Sequence, residues 1–181
     1  MAVTLVEKYD PEWSKWFEEI KAYLGEKISQ ACIQIEHVGS TSIPGMTAKP
    51  IIDLILVIKP QDFEEIKGLL AERGYYHQGD LGIKDREVFR LRDTSLQSPG
   101  PVPYHHLYVC PKHSPELTKE IAFREFLRQN KEYAERLSEL KWSLAEAFDN
   151  DRDAYIEGKA ALCREITERA LERSKGIKNA S

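Results

Sequence analysis

Apolar residues follow three different patterns in the first third of the chain. Residues 11–29 carry them at three- and four-residue steps, which predicts one amphipathic helix with Pro11 in its first turn. Residues 32–38 alternate between apolar and polar side chains and predict a strand. Residues 50–58 are almost continuously apolar, as in a strand that is buried on both faces. The helical steps fall at Trp13, Trp16, Phe17, Ile20 and Leu24.

The remaining patterns divide the chain into a mixed half and a helical half. A second helix is expected from Pro60 to Arg73, and strands over 87–93 and 104–110. From Ser114 onward the spacing predicts three helices in succession. This order indicates an α+β fold.

The same order predicts how the chain is organised. We expect an α/β core over residues 1–112 and a helical extension over 113–175 that packs on this core as part of one domain. Residues 176–181, which end the chain as given, are expected to form a flexible tail.

Composition and charge exclude several classes of function. The 181 residues carry a formal net charge of −4, which argues against bulk nucleic-acid binding, because that needs a basic face. Cys32, Cys110 and Cys163 are scattered and form no metal-binding spacing, which indicates reduced thiols in a cytoplasmic protein. No apolar run approaches the length of a membrane span, and no signal peptide is recognisable, so no membrane association is expected.

The stretch IEHVGSTSIPGMTAKPIIDLILVI, residues 35–58, contains the strongest candidate chemistry. Asp53 is a carboxylate at the centre of an apolar strand, where burial is costly unless the group has a partner or a task. Gly39 permits a tight turn, and Ser40 and Thr41 follow it at a predicted helix start, where backbone N–H groups bind anions. We expect these three residues to contact phosphate and Asp53 to hold a divalent metal, Mg²⁺ or Mn²⁺.

Five further residues are candidates for the same site. Lys49 is expected to neutralise phosphate, to pair with Asp53 or to remain solvated. Arg90 and Arg92 share one side of their predicted strand and either bind phosphate or form a solvated face. His106, and less strongly His37, are candidates for proton transfer or metal binding, although a structural role is common for such histidines.

Several motifs resemble a known family. A strand, a Gly-Ser turn and a return strand with an aspartate are typical of the nucleotidyltransferase fold. The segment HVGSTSIPGMTAKPIIDLILVI also resembles the signature of the GrpB family, nucleotidyltransferase-like proteins of largely unknown function. YDPEW, HHLYVCP and FREFLR are similar to other motifs of that family, so the resemblance spans roughly residues 5–170.

The resemblance implies a nucleotidyltransferase-like mixed β-sheet flanked by helices and a metal-dependent transfer of a nucleotidyl group from a nucleoside triphosphate to an acceptor. Asp53 and His106 would be the catalytic residues. Two departures matter: Ile55 stands where a second acid is usual, and Tyr108 replaces a histidine. A non-catalytic module that binds a nucleotide or a CoA-type ligand is therefore the alternative, and a protein–protein adaptor is a third.

Overall fold

The computed structural model describes residues 6–148 and 151–179, and its centre is a five-stranded mixed sheet. The strands lie in the order β1–β2–β5–β4–β3. Only β2 and β5 are parallel; the other three pairs are antiparallel. The strands are β1 (Gln34–Val38), β2 (Ile52–Ile58), β3 (Tyr75–His77), β4 (Glu87–Leu91) and β5 (His105–Pro111).

Six α-helices accompany the sheet in the part of the chain that the structure describes, and the α+β class expected from the patterns is confirmed. A short 3-10 helix, Ser40–Ser42, follows β1, and another, Pro60–Asp62, precedes α3. The predicted single helix over 11–29 is wrong in one respect, because Gly25 breaks it with a φ of +85°. The helices are α1 (Glu12–Leu24), α2 (Glu26–Ala31), α3 (Phe63–Glu72), α4 (Pro115–Gln129), α5 (Lys131–Ala147) and α6 (Arg152–Asn179).

The two faces of the sheet differ in what they carry. On one face the ring of Phe17 from α1 stacks on His37, and Phe63 from α3 contacts Phe89 and His77 edge-on. This face therefore belongs to an apolar and aromatic core. Side chains alternate along each strand, so the residues next to these point to the opposite face.

The chain forms two compact units, and each consists of separated stretches. We call residues 12–39 together with Ile51–Thr118 the sheet unit; it contains all five strands and α1 to α3. Within the described residues, the helical unit comprises 6–11, Ser40–Pro50 and 119–179 without 149–150. The expected division at residue 112, with the extension packed on the core, stays a prediction.

The helical unit has its own apolar core. Ile43 and Met46, from the stretch between β1 and β2, are buried against Phe126, Leu137 and other residues of α4, α5 and α6. A smaller cluster joins Val6 to Leu144, Ala145 and Tyr155, while backbone hydrogen bonds of 2.8 and 3.1 Å join Glu7 to Ala48. Three distant stretches of the chain thus share one core.

The C-terminal end is helical as far as it is described. Helix α6 continues to Asn179, while residues 180–181 of the expected tail lie outside the described residues, so its flexibility stays a prediction. None of the helices in the described part of the chain combines the length and the hydropathy needed to cross a membrane.

Candidate functional site

Asp53 and His106 form a hydrogen-bonded pair on the face of the sheet opposite to α1 and α3. They are register partners on the parallel strands β2 and β5, and Nδ1 of His106 lies 3.1 Å from Oδ1 of Asp53. Both side chains are partly accessible, with 28% of the His106 surface and 27% of the Asp53 surface exposed. With Nδ1–H donating to the carboxylate, Nε2 is the nitrogen that can accept a proton.

Gly39 makes room for the carboxylate of Asp53. Its φ is +73°, a conformation that L side chains rarely adopt. A Cβ at this position would lie only 2.6 Å from Oδ2 of Asp53. The glycine of the Gly-Ser turn is therefore needed for two reasons, its backbone conformation and the close approach of the carboxylate.

A row of side chains crosses the sheet through this pair. The register joins Val38 to Asp53, Asp53 to His106, and Tyr76 to Arg90. Phe89 is paired with Leu107, so the next step of the same antiparallel ladder brings Arg90 beside His106. One acid, one imidazole and one guanidinium thus follow each other on neighbouring strands.

The next row contains Ile55, which occupies the position where a second acid is usual. Ile55 is fully buried, and its register partners on either side are Glu36 and Tyr108. Burial is the main cause that raises the pKa of Tyr108 to about 12, and the charge of Asp53 contributes. The guanidinium of Arg86 lies 4.8 Å from the centre of the Tyr108 ring. Position 55 is therefore an apolar residue between an acid, Glu36, and an aromatic ring, Tyr108.

Arg92 and His37 are positioned differently from Arg90 and His106. Arg92 follows the last residue of β4, is exposed, and lies over the ring of Tyr76 at 5.3 Å. His37 is paired with Leu54, on the α1 face of the sheet, where Phe17 stacks on it at 4.8 Å. His37 thus belongs to the packing of the sheet unit.

Ser40 and Thr41 belong to the helical unit, in a 3-10 helix of three residues rather than at the start of an α-helix. Lys141 of α5, which is only 3% exposed, donates to Oγ of Ser40 and, over 3.2 Å, to the carbonyl of Thr47. Thr41 is buried, which leaves Ser40 as the partly exposed residue of the two. Sequence reasoning gave Lys141 no role of its own, because a lysine in an amphipathic helix carries no signal of burial.

Lys49 belongs to a cluster of cations in the helical unit. The Nζ atoms of Lys49 and Lys159 lie 5.2 and 5.0 Å from the centre of the Tyr155 ring. Burial is the main cause that lowers the pKa of Lys49, and the charges of Lys159 and Arg152 lower it further. Of the roles expected for Lys49, simple solvation does not fit this partly buried position.

A comparison with known proteins identifies the family. The family model described as GrpB protein matches residues 3–169. The chain belongs to the GrpB family. It is 32% identical over 169 residues to the UPF0157 protein BH1888 of Halalkalibacterium halodurans, covering 93% of this chain and 83% of that protein.

Two further similarities define the extent and the fold of this GrpB-family chain. It is 30% identical over 174 residues to the UPF0157 protein YqkA of Bacillus subtilis, which covers 96% of the chain. The chain spans about half of that relative's length, 49%. The crystal structure of the conserved protein GrpB from Enterococcus faecalis matches with a TM-score of 0.78 at 30% identity, covering 93% of this chain and 98% of that one.

The expected nucleotidyltransferase-like fold is confirmed by a more distant structure. The Cid1 poly(U) polymerase with bound MgGTP matches with a TM-score of 0.53 at 10% identity, over 77% of this chain and 44% of that one. At this identity the similarity concerns the fold alone.

Few ligands are available for the divalent metal that is expected in such a fold. In residues 6–148 and 151–179, no three His, Cys, Asp or Glu side chains are grouped so that they could hold a metal ion. One Mg²⁺ is commonly held by one or two carboxylates, with phosphate oxygens of the substrate and water completing its coordination. Asp53 fits one ion of this kind. Buried Ile55 offers no ligand for a second ion.

Proposed function

We propose that this GrpB-family protein transfers a nucleotidyl group from a nucleoside triphosphate to an acceptor hydroxyl. The observation that carries the proposal is the partly exposed, hydrogen-bonded pair of Asp53 and His106 in a chain of nucleotidyltransferase fold. A carboxylate that orients an imidazole through Nδ1 is a recurrent arrangement for a general base.

His106 has the central role in this reaction. Its Nε2 accepts the proton of the acceptor hydroxyl, whose oxygen forms a bond to the α-phosphorus while the bond from that phosphorus to the bridging oxygen breaks and pyrophosphate leaves. Asp53 holds the imidazole through Oδ1 and stabilises the imidazolium that forms. Arg90, next to His106 in the row across the sheet, neutralises charge that develops on the phosphoryl oxygens.

The divalent metal and the phosphate contacts complete the proposal. Asp53 is the residue that would hold the ion, which would polarise a phosphoryl oxygen and neutralise its charge when bound. Gly39, Ser40, Thr41, Lys49 and Arg92 keep the phosphate-contact roles that their positions in the sequence predict.

Substitution of the pair tests the proposal. We expect Asp53→Asn and His106→Gln each to reduce pyrophosphate release by a factor of about 100 or more, since general acid–base catalysis contributes 10²–10⁴-fold. The chain offers a matched control on the α1 face: His77 and Glu87 are bonded at 2.5 Å and are also partly exposed. His77→Gln should leave turnover unchanged. An active Asp53→Asn enzyme would contradict the proposal.

The buried Ile55 supports a second candidate, a non-catalytic module that binds a nucleotide or a CoA-type ligand. Unfolding of the protein should be followed with ATP, CTP, GTP, UTP and CoA, each in EDTA, Mg²⁺ and Mn²⁺. A ligand at 100 times its Kd adds about 2.7 kcal/mol to the free energy of unfolding. Product that forms from a nucleoside triphosphate with Mg²⁺ or Mn²⁺ and is lost in Asp53→Asn supports the enzyme. Stabilisation by a nucleotide or CoA with no product in either metal supports the module.

A further inference from the structure

A cavity of about 440 Å³ opens on the sheet unit beside the row that contains Asp53 and His106. Its volume is within the range of small-molecule sites. Its polar and aromatic wall is formed by Tyr76, Gln78, Arg90, Asp93, Ser95 and Tyr104. None of these residues except Arg90 has a part in the chemistry described above.

The cavity is connected to the candidate catalytic pair by two of its residues. Tyr104 meets the imidazole of His106 edge-on, with ring centres 5.7 Å apart and planes at 81°. Arg90 follows His106 in the row across the sheet, and Tyr76 is its register partner on β3. A molecule in this cavity would therefore contact Arg90 and Tyr104, and both of these residues are neighbours of His106.

The wall combines the groups that recognise a nucleoside phosphate. Tyr76 and Tyr104 provide aromatic rings on which a nucleobase can stack, independently of its identity. Tyr76 is 37% exposed and is supported by the guanidinium of Arg92. Asp93 supplies an acceptor-only carboxylate for hydroxyl or amino hydrogens, and Arg90 a donor fork that matches phosphate.

The backbone of this wall has an uncommon conformation at Asp93 and a hydrogen-bonded turn after it. Asp93 has a φ of +56°, one of three non-glycine residues of the described chain with a positive φ. Such conformations are uncommon and concentrate at ligand sites. Hydroxyl and backbone bonds fix the turn that follows: Oγ1 of Thr94 donates to the carbonyl of Leu91 over 2.9 Å, and Ser95 and Ser98 exchange backbone hydrogen bonds.

We infer that this cavity binds the nucleoside part of a nucleoside 5′-phosphate, with the base on Tyr76 and Tyr104 and the phosphate toward Arg90 and His106. The inference rests on the proposed function for its ligand class, and it names the residues that would hold base and sugar. Binding there does not require the metal, because none of the groups in the wall depends on an ion.

Calorimetric titration in EDTA with AMP, CMP, GMP and UMP, and with ribose 5-phosphate as the probe without a base, tests the inference. At least one mononucleotide should bind, and Tyr76→Leu and Tyr104→Leu should each weaken it about tenfold, since one stacked base contributes a factor of that order or more. Tyr76→Phe and Tyr104→Phe keep the ring and should bind within about twofold of the parent on the same ground. Trp142→Leu, which removes an exposed aromatic residue of the helical unit, is the control and should change nothing.

Three results would overturn the inference: no mononucleotide binds, the leucine variants bind as well as the parent, or ribose 5-phosphate binds as tightly as the mononucleotides. The outcome is separable from that of the proposed function. Asp53→Asn should still bind mononucleotide in EDTA, so binding through the tyrosines without any turnover would end only the enzymatic proposal. If turnover needs Asp53 but the KM for the triphosphate is the same in the parent and in both leucine variants, only the inference about the cavity is contradicted.

Discussion

At the scale of single residues, Gly39 and Asp53 depend on each other. The carboxylate reaches its position beside His106 only because residue 39 has no side chain, and the tight turn after β1 requires a positive φ there. The predicted tight turn at Gly39 is therefore also a close contact with the neighbouring strand β2. Its substitution should affect the geometry of the catalytic pair as well as stability.

Gly39→Ala should lower the free energy of unfolding more than the backbone conformation alone requires. The left-handed conformation costs an alanine about 1–2 kcal/mol, and the contact with Oδ2 adds to this. Gly45→Ala is a matched control, because Gly45 has a φ of +80° and nothing within 4 Å of its Cβ position. Urea unfolding of both variants checks the difference.

The double variant Gly39→Ala/Asp53→Ala locates the cause of that difference. Without the carboxylate, the excess cost of the alanine at 39 over the one at 45 should become smaller, while the Cβ of residue 53 remains 3.2 Å from the added Cβ. Equal losses in Gly39→Ala and Gly45→Ala would show that the carboxylate imposes no constraint on residue 39.

At the scale of elements, the stretch Ser40–Pro50 is fixed by α4 and α5 through polar contacts with its backbone. Arg128 of α4 donates to the carbonyl of Ser42 over 3.0 and 2.7 Å, and Oγ of Ser138 accepts from the N–H of Thr47 over 3.0 Å. Lys141 adds its bonds to Ser40 and Thr47. A connection between two strands thus takes its conformation from helices that are distant in sequence.

Lys141→Met should loosen this stretch. The substitution keeps most of the side-chain volume but leaves the carbonyl of Thr47 without its lysine donor, and an unsatisfied buried group costs about 1–3 kcal/mol. Lys131→Met on the same helix is the control, since Lys131 is 89% exposed. Unfolding in urea and limited proteolysis at the exposed Pro44–Gly45 region measure the effect. Unchanged stability and unchanged cleavage would contradict the role assigned to Lys141.

At the scale of the whole molecule, the type of most elements could be predicted from periodicity, and their arrangement could not. Strand β3 is absent from the predicted elements because three residues are too few to show an alternation of apolar and polar side chains. The break at Gly25 was not predicted because the helical spacing of apolar residues continues across it. The order β1–β2–β5–β4–β3 depends on contacts between distant strands. It is this order that brings His106 to Asp53, so the sequence makes both residues candidates but does not establish that they are paired.

The site was predictable to a similar extent. Asp53 is recognisable because a carboxylate in an apolar strand breaks the local rule. Tyr76 and Tyr104 are not, because a tyrosine within a strand or next to one is equally suited to the core. His37 and His106 have similar sequence surroundings, and only the register assigns them to opposite faces.

The pH dependence of stability is a further property of the whole chain, and His105 should contribute to it. This histidine is buried; Nδ1–H donates to the carbonyl of Pro103 over 2.7 Å, and Nε2 accepts from the hydroxyl of Tyr75 over 2.6 Å. Burial lowers the pKa of His105, although the bond to Pro103 opposes the shift. Below about pH 6.5 the unfolded chain therefore binds more protons at this residue than the folded one.

The free energy of unfolding should accordingly fall as the pH falls from about 6.5 toward the lowered pKa of folded His105, and this contribution should be fully present above that range. Urea unfolding at pH 8, 7, 6 and 5.5 measures the slope. His105→Gln should be less stable than the parent at neutral pH, and its free energy of unfolding should change less as the pH falls. The same slope in His105→Gln and the parent would refute the assignment.

The three separated stretches of the helical unit have a consequence for the order in which the protein is made. Chains leave the ribosome from their N-terminus at about 5–20 residues per second. All five strands have been synthesised by Pro111, whereas Val6, Ile43 and Met46 acquire their packing partners only after α4, α5 and α6 emerge. For several seconds the nascent chain thus carries a complete set of strands and unburied apolar residues at Ile43 and Met46. A chain whose synthesis stops between β5 and α5 would expose those residues to proteases and chaperones.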